Sequence, residues 1–429
     1  MAKVGLMILL ATTLCWATLA DSVSRKSMNR EASEDEGDID RRLRLLNKPA
    51  VKSIRSADGD IIDCVDIHKQ PAFDHPALKN HAIQMKPSIE LPSETKATKN
   101  EHSKPAISQT WQKSGSCPKG TIPIRRIQRQ DLLRASSPER FGKMYHPHSQ
   151  EHVANSTLNE NVRNVVINGT EVSLPYRKDR SQAVLYTAGF SYIGASGDIN
   201  VWNPNLDLPD DFTTAQIWLL GGPGDKYESV EAGWMVNPKL YGDKQTRLFT
   251  HWTVDGSVST GCFDLTCSGF VQTNSEVALG SAVNPISSDG GEQYQMSVGI
   301  FMDPNTSNWW LKLTNNLVVG YFPGSLFFYL KRKAIMVNWG GQVYSTMVKK
   351  SPHTRTAMGS GRYSETLHSH ACYIKQVRIM DYSLSLKYPE MVQVYNDEVY
   401  CYNGNNHRDG YVGEPVFYFG GPGQNNFCP

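Results

Sequence analysis

Short strand-like runs separated by turn residues constrain the fold of this chain more than any other feature. From about Ala183 onward they recur with no long helical period between them, except at Pro323–Lys333, where the pattern allows a helix. Turns are marked by Gly221–Gly224, Asp303-Pro304, Asn315-Asn316 and Gly420–Gly423. The predicted strands are Ala183–Thr187, Asp198–Trp202, Thr214–Leu220, Val230–Val236, Arg247–Thr253, Gln293–Phe301, Trp309–Leu313, Leu317–Tyr321, Ile335–Tyr344 and Tyr373–Met380. This pattern predicts an all-β domain, an antiparallel β-sandwich of two sheets.

Two of these runs have a polar face that carries chemistry. In Ser229–Asn237, the even-numbered positions are apolar, whereas Glu231 lies on the other face, two residues before Gly233. In Ile335–Thr346, Gln342 lies on a similar face that also carries glycine. A carboxylate beside a place where another backbone can approach is a candidate acid or base for cutting a peptide. The alternative is that Glu231 is a solvated residue on an exposed sheet face.

The first 20 residues resemble a secretory signal peptide, with Lys3 before an apolar stretch and small residues at Thr18 and Ala20. A signal anchor is the alternative, but the apolar run is short for a membrane span, and no second run of that length follows. We therefore expect a secreted protein with no membrane span after signal removal. The net charge of +2 gives no indication of a nucleic-acid partner.

The chain has eight cysteines, and seven remain once Cys15 leaves with the signal. In an oxidising compartment the most local pairing is Cys64 with Cys117, Cys262 with Cys267, and Cys401 with Cys428, which leaves Cys372 over. Spacing makes this connectivity the most local one but does not prove it. A metal site is the rival interpretation, but none of the cysteines has a ligand-spaced Cys or His pair beside it. No metal and no cofactor are expected.

Residues 21–60 are charge-rich, with one short helix predicted near Arg41–Leu46. Residues 61–135 are more ordered in character, and 136–182 form a polar linker. Glycosylation sequons place Asn155 and Asn168 in that linker and Asn305 further on. Three linker histidines give a weak metal hint, which we set below a solvated linker: His146, His148 and His152.

Other hydrolytic chemistries lack their motifs. The chain has neither a Gly-x-Ser-x-Gly elbow nor a His-Glu-x-x-His zinc motif. Gly221–Gly224 is not followed by Lys-Ser/Thr and is therefore a turn rather than a phosphate loop.

The chain resembles the neprosin family of plant glutamic peptidases over nearly its whole length. The N-terminal segments that carry the resemblance are Leu45–Ile54, Asp58–Cys64, Phe73–Pro76, Cys117-Pro118 and Gly120–Arg126, which are similar to the family's activation peptide. The C-terminal segments are similar to its catalytic domain: Ile199–Trp202, Ser229–Trp234, Arg247–Thr250, Thr260–Cys262, Cys267–Phe270, Asn308–Trp310, Gly359–Gly361 and Gly420–Gly423.

The resemblance implies a secreted zymogen with a signal peptide (1–20), a small α+β activation peptide or pro-domain (21–135), a linker (136–182) and a concanavalin-like catalytic sandwich (183–429). It implies cleavage after proline at acid pH, and a pro-domain that covers the cleft until it is removed. The family uses two glutamates. Glu231 matches the first, whereas the second, in Trp-Gly-Gly-Glu-Val, is replaced here by Gln342.

This replacement leaves two interpretations open. Glu231 can act alone as general base and then acid, with the Gln342 amide donating to the developing oxyanion. Alternatively, the chain is an inactive relative that binds peptide or cell-wall polymer in the same cleft. Trp234, Trp339 and Tyr344 are candidate cleft residues, with core packing as the alternative for the two tryptophans.

Overall fold

The computed structural model describes residues 37–92, 108–144, 162–167, 170–175, 177–410 and 413–429. Its α-helices are α1 (37–46), α2 (Arg129–Arg134) and α3 (Pro238–Tyr241). The 3-10 turns are Ile67–Lys69, Pro71–Asp74, Pro76–Leu78, Thr110–Ser114, Pro138–Arg140, Gly224–Lys226, Thr314–Asn316, Gly324–Leu326 and Ser364–Thr366. No helix within these ranges is long and apolar enough to cross a bilayer.

The strands divide into an N-terminal group and a larger C-terminal group. The first group is β1 (Ala50–Arg55), β2 (Ile61–Asp66), β3 (Ser108–Gln109), β4 (Thr121–Arg125), β5 (Val162–Ile167) and β6 (Thr170–Pro175). The second is β7 (Arg180–Tyr192), β8 (Gly194–Asn200), β9 (Phe212–Gly221), β10 (Glu228–Val236), β11 (Arg247–Thr253), β12 (Cys262–Phe263), β13 (Val271–Gln272), β14 (Val283–Asn284), β15 (Gln295–Met302), β16 (Trp309–Leu313), β17 (Leu317–Phe322), β18 (Ala334–Tyr344), β19 (Cys372–Met380), β20 (Leu386–Lys387), β21 (Gln393–Asn396), β22 (Asn403–His407) and β23 (Val416–Gly420).

Two antiparallel sheets form the predicted sandwich. The first has the order β12-β11-β10-β9-β18-β7-β21, and the second has the order β13-β17-β16-β15-β8-β19-β23-β22, with β20 beside β19. Alternate residues of both sheets meet in one large core, which contains Ala232, Trp234 and Trp339 from the first sheet and Ile300 and Trp309 from the second. The opposite face of the first sheet is thereby left to carry the site.

The sequence predicted a possible helix over Pro323–Lys333, and this is wrong beyond the single turn Gly324–Leu326. The buried carboxylate of Glu228 accepts hydrogen bonds from the backbone N–H groups of Phe328, Tyr329 and Leu330, at 2.7–2.8 Å. Because these three amides donate to Glu228, they do not donate to the carbonyl groups of the preceding turn, and the turn does not continue into a helix.

The N-terminal part is a small unit packed on the sandwich. Strands β1, β2 and β4 form a three-stranded antiparallel sheet, and β3 pairs with β14 of the C-terminal group. Trp111 and Ile54 pack with Ala278. The buried guanidinium of Arg247 meets Asp60 at 2.6 Å. A small α+β unit thus precedes and contacts the β-sandwich, as predicted.

The three predicted disulfides are present and link Cys64 to Cys117, Cys262 to Cys267 and Cys401 to Cys428. The remaining described cysteine, Cys372, is a buried free thiol. The helix expected near Arg41–Leu46 is also present, as the second half of α1.

Candidate active site

Glu231 and Gln342 lie on the same face of the first sheet, separated by strand β9. On one row of the sheet, Glu231 and Asn338 both pair with Trp218, and two rows further on, Met235 and Gln342 both pair with Thr214. The two side chains are therefore two strands and four residues apart, about 10 Å across and about 13 Å along the sheet between their Cα atoms. This diagonal crosses the row that lies between them.

That intermediate row has almost no side chains, because two of its three residues are glycines. Gly233 and Gly340 flank Gln216. A Cβ on Gly233 would lie 2.1 Å from the carbonyl oxygen of Ala215, and a Cβ on Gly340 would lie 2.3 Å from that of Ala183. Gly340 also has a φ of +152°, which residues with a side chain rarely adopt. The two glycines give the sheet a shallow trough between Glu231 and Gln342.

Glu231 is buried in a hydrogen-bonded pocket at one end of this trough. Its Oε1 accepts a hydrogen bond from Ser229 Oγ at 2.6 Å, and its Oε2 accepts one from Gln216 Nε2 at 2.7 Å. The Nδ1 of His251 lies 3.5 Å from Oε1. Burial by itself would raise the pKa of the carboxyl, but His251 and the two hydrogen bonds outweigh it and hold the pKa below its usual value. The carboxylate is therefore ionised at mildly acid pH.

Gln342 presents an amide at the other end. Its Oε1 accepts a hydrogen bond from Gln182 Nε2 at 2.9 Å, across the pair of strands β18 and β7. Its own Nε2 donates to no residue of the described chain. An ionised carboxylate and a free amide donor on one trough can deprotonate a water molecule and hold an oxyanion.

The trough is closed in this form of the chain. Glu231, Gln342 and Asn338 line a cavity of about 30 Å³, and its lining also includes Met144, Arg177, Arg180 and Tyr227, among others. Such a volume holds one or two water molecules and no peptide.

A larger cavity of about 320 Å³ lies beside Tyr344, which stacks on Phe212 with ring centroids 4.9 Å apart. Its wall includes Ser136, Phe141 and Met144. The chain segment that precedes the sandwich therefore occupies the approach to the trough.

Of the three candidate cleft residues, only Tyr344 lies on the face that carries Glu231. Trp234 and Trp339 are fully buried between the two sheets, and their indole N–H groups donate to the carbonyl oxygens of Asn200 and Ser196. Their assignment to the cleft is wrong, because strand alternation directs them away from Glu231 and Gln342.

Two residues of the site were not identified from the sequence. Gln216 lies in the middle row and His251 lies on β11 directly opposite Glu231. Alternation within Arg247–Thr253 places His251, Phe249 and Arg247 on one face, but only the strand order shows that this face is the one with Glu231.

The remaining candidate groups that the structure describes lie apart from the trough. Burial raises the pKa of the Cys372 thiol well above its usual value, which does not favour a nucleophile. His353 lies near Cys401 and Cys428, but these two sulfur atoms are joined in a disulfide and cannot ligate a metal. Asn305 is exposed, with its side-chain amide donating to Ser88 Oγ, whereas Asn155 and Asn168 lie outside the described residues. The signal peptide and the three linker histidines also lie outside them.

The sandwich carries a carboxylate in a trough, and the segment that precedes the sandwich covers that trough. This is the organisation of a peptidase zymogen. Comparison with known families matches residues 209–422 to Neprosin and residues 53–167 to the Neprosin activation peptide. The chain belongs to the neprosin family and carries both its activation peptide and its neprosin domain.

Comparison with solved structures finds low overall similarity to scytalido-glutamic peptidase and to a member of the Eqolisin family of peptidases. Scytalido-glutamic peptidase with a transition state analog inhibitor is 11% identical, with 56% of this chain and 98% of that chain covered at a TM-score of 0.30. SCP-B, a member of the Eqolisin family of peptidases in a complex with the tripeptide Ala-Ile-His, is 12% identical, with 56% and 96% covered at a TM-score of 0.29.

Proposed function

We propose that this protein is the zymogen of a glutamic-type endopeptidase in which Glu231 is the general base and Gln342 is the oxyanion donor. The observation that carries the proposal is the shared trough, because both side chains line one cavity on one sheet face with two glycines between them. Family membership supports the reaction class.

In the proposed reaction, Glu231 takes a proton from a water molecule as the water oxygen attacks the peptide carbonyl carbon. The negative charge that develops on the carbonyl oxygen is stabilised by the Gln342 amide. Glu231 then gives its proton to the leaving nitrogen, the C–N bond breaks, and a carboxylic acid and an amine are released. One water molecule is consumed, and the carboxylate returns to its starting state.

Activity at acid pH follows from the ionisation of Glu231. Its pKa is lowered, so the base stays ionised as the pH falls and activity is lost only when the pH passes below that lowered pKa. Cleavage after proline is proposed from the resemblance to the neprosin family. Three disulfides and the predicted signal peptide support secretion, to the cell wall or apoplast or to the vacuole.

The activation segment, residues 53–167 by the family match, is proposed as the inhibitor of the mature domain. Its residues Ile127, Leu132 and Phe141 pack in one apolar cluster with Met235 and Tyr344 on the trough face of the sheet. A substrate chain laid along the trough would need the space that this cluster and Met144 occupy. Removal of the segment should therefore precede activity.

The test compares Glu231→Gln with the unaltered protein, each secreted, purified and acid-treated, on a proline-containing peptide with products identified by mass spectrometry. We expect cleavage by the parent and a loss of at least about 100-fold in kcat/KM for the variant. The matched control is Glu276→Gln, at an exposed position far along the chain from the trough residues, which should cleave normally.

Unchanged cleavage by Glu231→Gln would refute the assignment of the base. Absence of product from the parent, together with cleavage by Gln342→Glu, would favour the alternative of a binding protein that has lost its second carboxylate.

A further inference from the structure

His251 is placed as a direct neighbour of the proposed base. It occupies the position on β11 that pairs with Glu231 on β10, and its ring is fully buried. Its Nδ1 lies 3.5 Å from Glu231 Oε1. The carboxylate oxygen that faces His251 is thus the one that also accepts the hydrogen bond from Ser229.

The imidazole has no other polar partner in the described chain. Neither ring nitrogen makes a hydrogen bond, and the ring packs against Phe263 with centroids 4.6 Å apart. Gly261 is close on the Nε2 side, since a Cβ there would lie 3.2 Å from that nitrogen. A buried polar ring without hydrogen bonds is unfavourable, and the approach of Nδ1 to Glu231 is the polar contact that offsets its burial.

The other charged groups nearby make contacts with other residues. Arg177 and Arg180 line the cavity with Glu231, but Arg177 donates to the Gly256 carbonyl, and Arg180 lies over the rings of Phe212 and Tyr344 with its Nε 3.7 Å from Asp179. Asp264, which follows Phe263, accepts hydrogen bonds from Tyr241 Oη and the Thr250 amide. Of the basic side chains that the structure describes, His251 is therefore the one that lies within 4 Å of the carboxylate.

We propose that His251 is the positioning residue of this site: its ring lies against Oε1 of Glu231 and fixes the orientation of the carboxylate, so that Oε2 faces the trough. This inference rests on the proposed function and deepens it. Oε2 is the oxygen that contacts Gln216, in the glycine row between Glu231 and Gln342. His251 acts through Glu231.

The chemistry explains why a histidine suits this version of the site. Two facing carboxyl groups share proton work because each changes the proton affinity of the other. An amide at position 342 cannot ionise, so that coupling is absent. An adjacent imidazolium supplies a different means to lower the proton affinity of the remaining carboxylate.

The test expresses the full chain and activates it. The variants His251→Leu and His251→Asn are then compared with the parent in kcat/KM between pH 3 and pH 7. Both variants lack the imidazole that lowers the pKa of Glu231, so the acid limb of the profile should move up by about one pH unit, which is about tenfold lower activity on that limb. KM should change by less than about twofold, because the ring does not face the trough. His251→Asn retains a donor and guards against a folding failure of His251→Leu.

A matched control is His353→Leu. His353 is also buried and lies 3.3 Å from a carboxylate, that of Glu398, but it does not line the trough. We expect this control to lower the melting temperature and to leave the acid limb in place. An unmoved acid limb in His251→Leu, or a profile of His251→Asn identical to that of the parent, would overturn the inference.

A second readout separates this inference from the proposed function. The carboxyl carbon of Glu231, assigned by its loss in Glu231→Gln, can be titrated by NMR in the parent and in His251→Leu. If its pKa rises in His251→Leu while no protein cleaves the peptide, the proposed function fails and the positioning role stands. An equal pKa in both proteins refutes the positioning role whether or not cleavage occurs.

Discussion

At the scale of single residues, the exchange of a carboxylate for an amide at position 342 determines the pH range of the site. An amide donates a hydrogen bond at any pH, whereas a carboxyl group donates only while it is protonated. In Gln342→Glu, the installed side chain would meet Gln182 Nε2 at the position where Gln342 Oε1 accepts its hydrogen bond at 2.9 Å. The variant therefore tests the donor role without removing a neighbouring contact.

We expect Gln342→Glu to keep activity at low pH and to lose it as the pH rises through the pKa of the installed carboxyl. The parent should lack that alkaline limb, because Gln342 does not titrate. The measurement is kcat/KM from pH 3 to pH 7 for both proteins. Alkaline limbs that coincide would contradict the assignment of Gln342 as the donor.

How far the sequence determines the site also depends on particular residues. The alternation in Ser229–Asn237 correctly places Glu231 and Trp234 on opposite faces of the strand. The same alternation applied to Trp339 places that side chain in the core. His251 could not be assigned, because cross-strand neighbours depend on strand order, which a single sequence does not contain. Gln216 was missed for the same reason.

At the scale of elements, strand positions are the best-predicted part of the molecule. Arg247–Thr253 and Trp309–Leu313 have the predicted bounds, since alternation and flanking turns define both ends. The segment after Pro323 was mispredicted because a distant carboxylate, Glu228, captures its amides. Long-range capture of this kind leaves no local pattern.

The trough floor provides a test at this scale through Gly340→Ala. The added Cβ would lie 2.3 Å from the Ala183 carbonyl oxygen at a φ that disfavours side chains. We expect the free energy of unfolding to fall by about 2–3 kcal/mol, from steric overlap and backbone strain together. Denaturant unfolding of the full chain measures it. Gly37→Ala is the control, since it lies in α1 with nothing within 4 Å of the added atom, and it should be neutral or stabilising. Equal effects of the two changes would show that β7 and β18 can separate without cost.

At the scale of the whole molecule, the activation segment is attached to both sheets. Beyond its cluster on the trough face, it reaches the second sheet through Gln84 and Ser88, which donate to the buried carboxylate of Asp303 at 2.6–2.8 Å. His81 Nε2 lies 2.7 Å from Tyr321 Oη, and His75 packs edge-on against Trp252. Release of the segment from the trough therefore requires that contacts on the second sheet break as well.

The contacts of His75 with the first sheet and of His81 and Asp303 with the second sheet should weaken in acid. Burial lowers the pKa of His75 and of His81, so both rings gain a proton more readily when they are released. For Asp303, burial would raise the pKa, but the hydrogen bonds from Ser88 and Gln84 outweigh it and lower the pKa. A group whose pKa is lowered in the packed state stabilises that state above its ordinary pKa and loses this effect as the pH falls. Protonation of the histidines therefore weakens the attachment as the pH falls through about 6.5 and below, and protonation of Asp303 weakens it below about 4.

Hydrogen exchange of residues 67–92 in the full chain tests this prediction, with rates corrected for the intrinsic effect of pH. We expect protection to fall between pH 7 and pH 5 in the parent, and to fall less in the double variant His75→Phe, His81→Phe, which lacks both titrating rings. Peptides from β9 and β10 are the internal control, because these strands contain no histidine and the pKa of the site carboxylate Glu231 is held below its usual value. If protection of 67–92 is independent of pH in the parent, the two histidines do not couple acid to release, and attachment to the second sheet must be lost by cleavage alone.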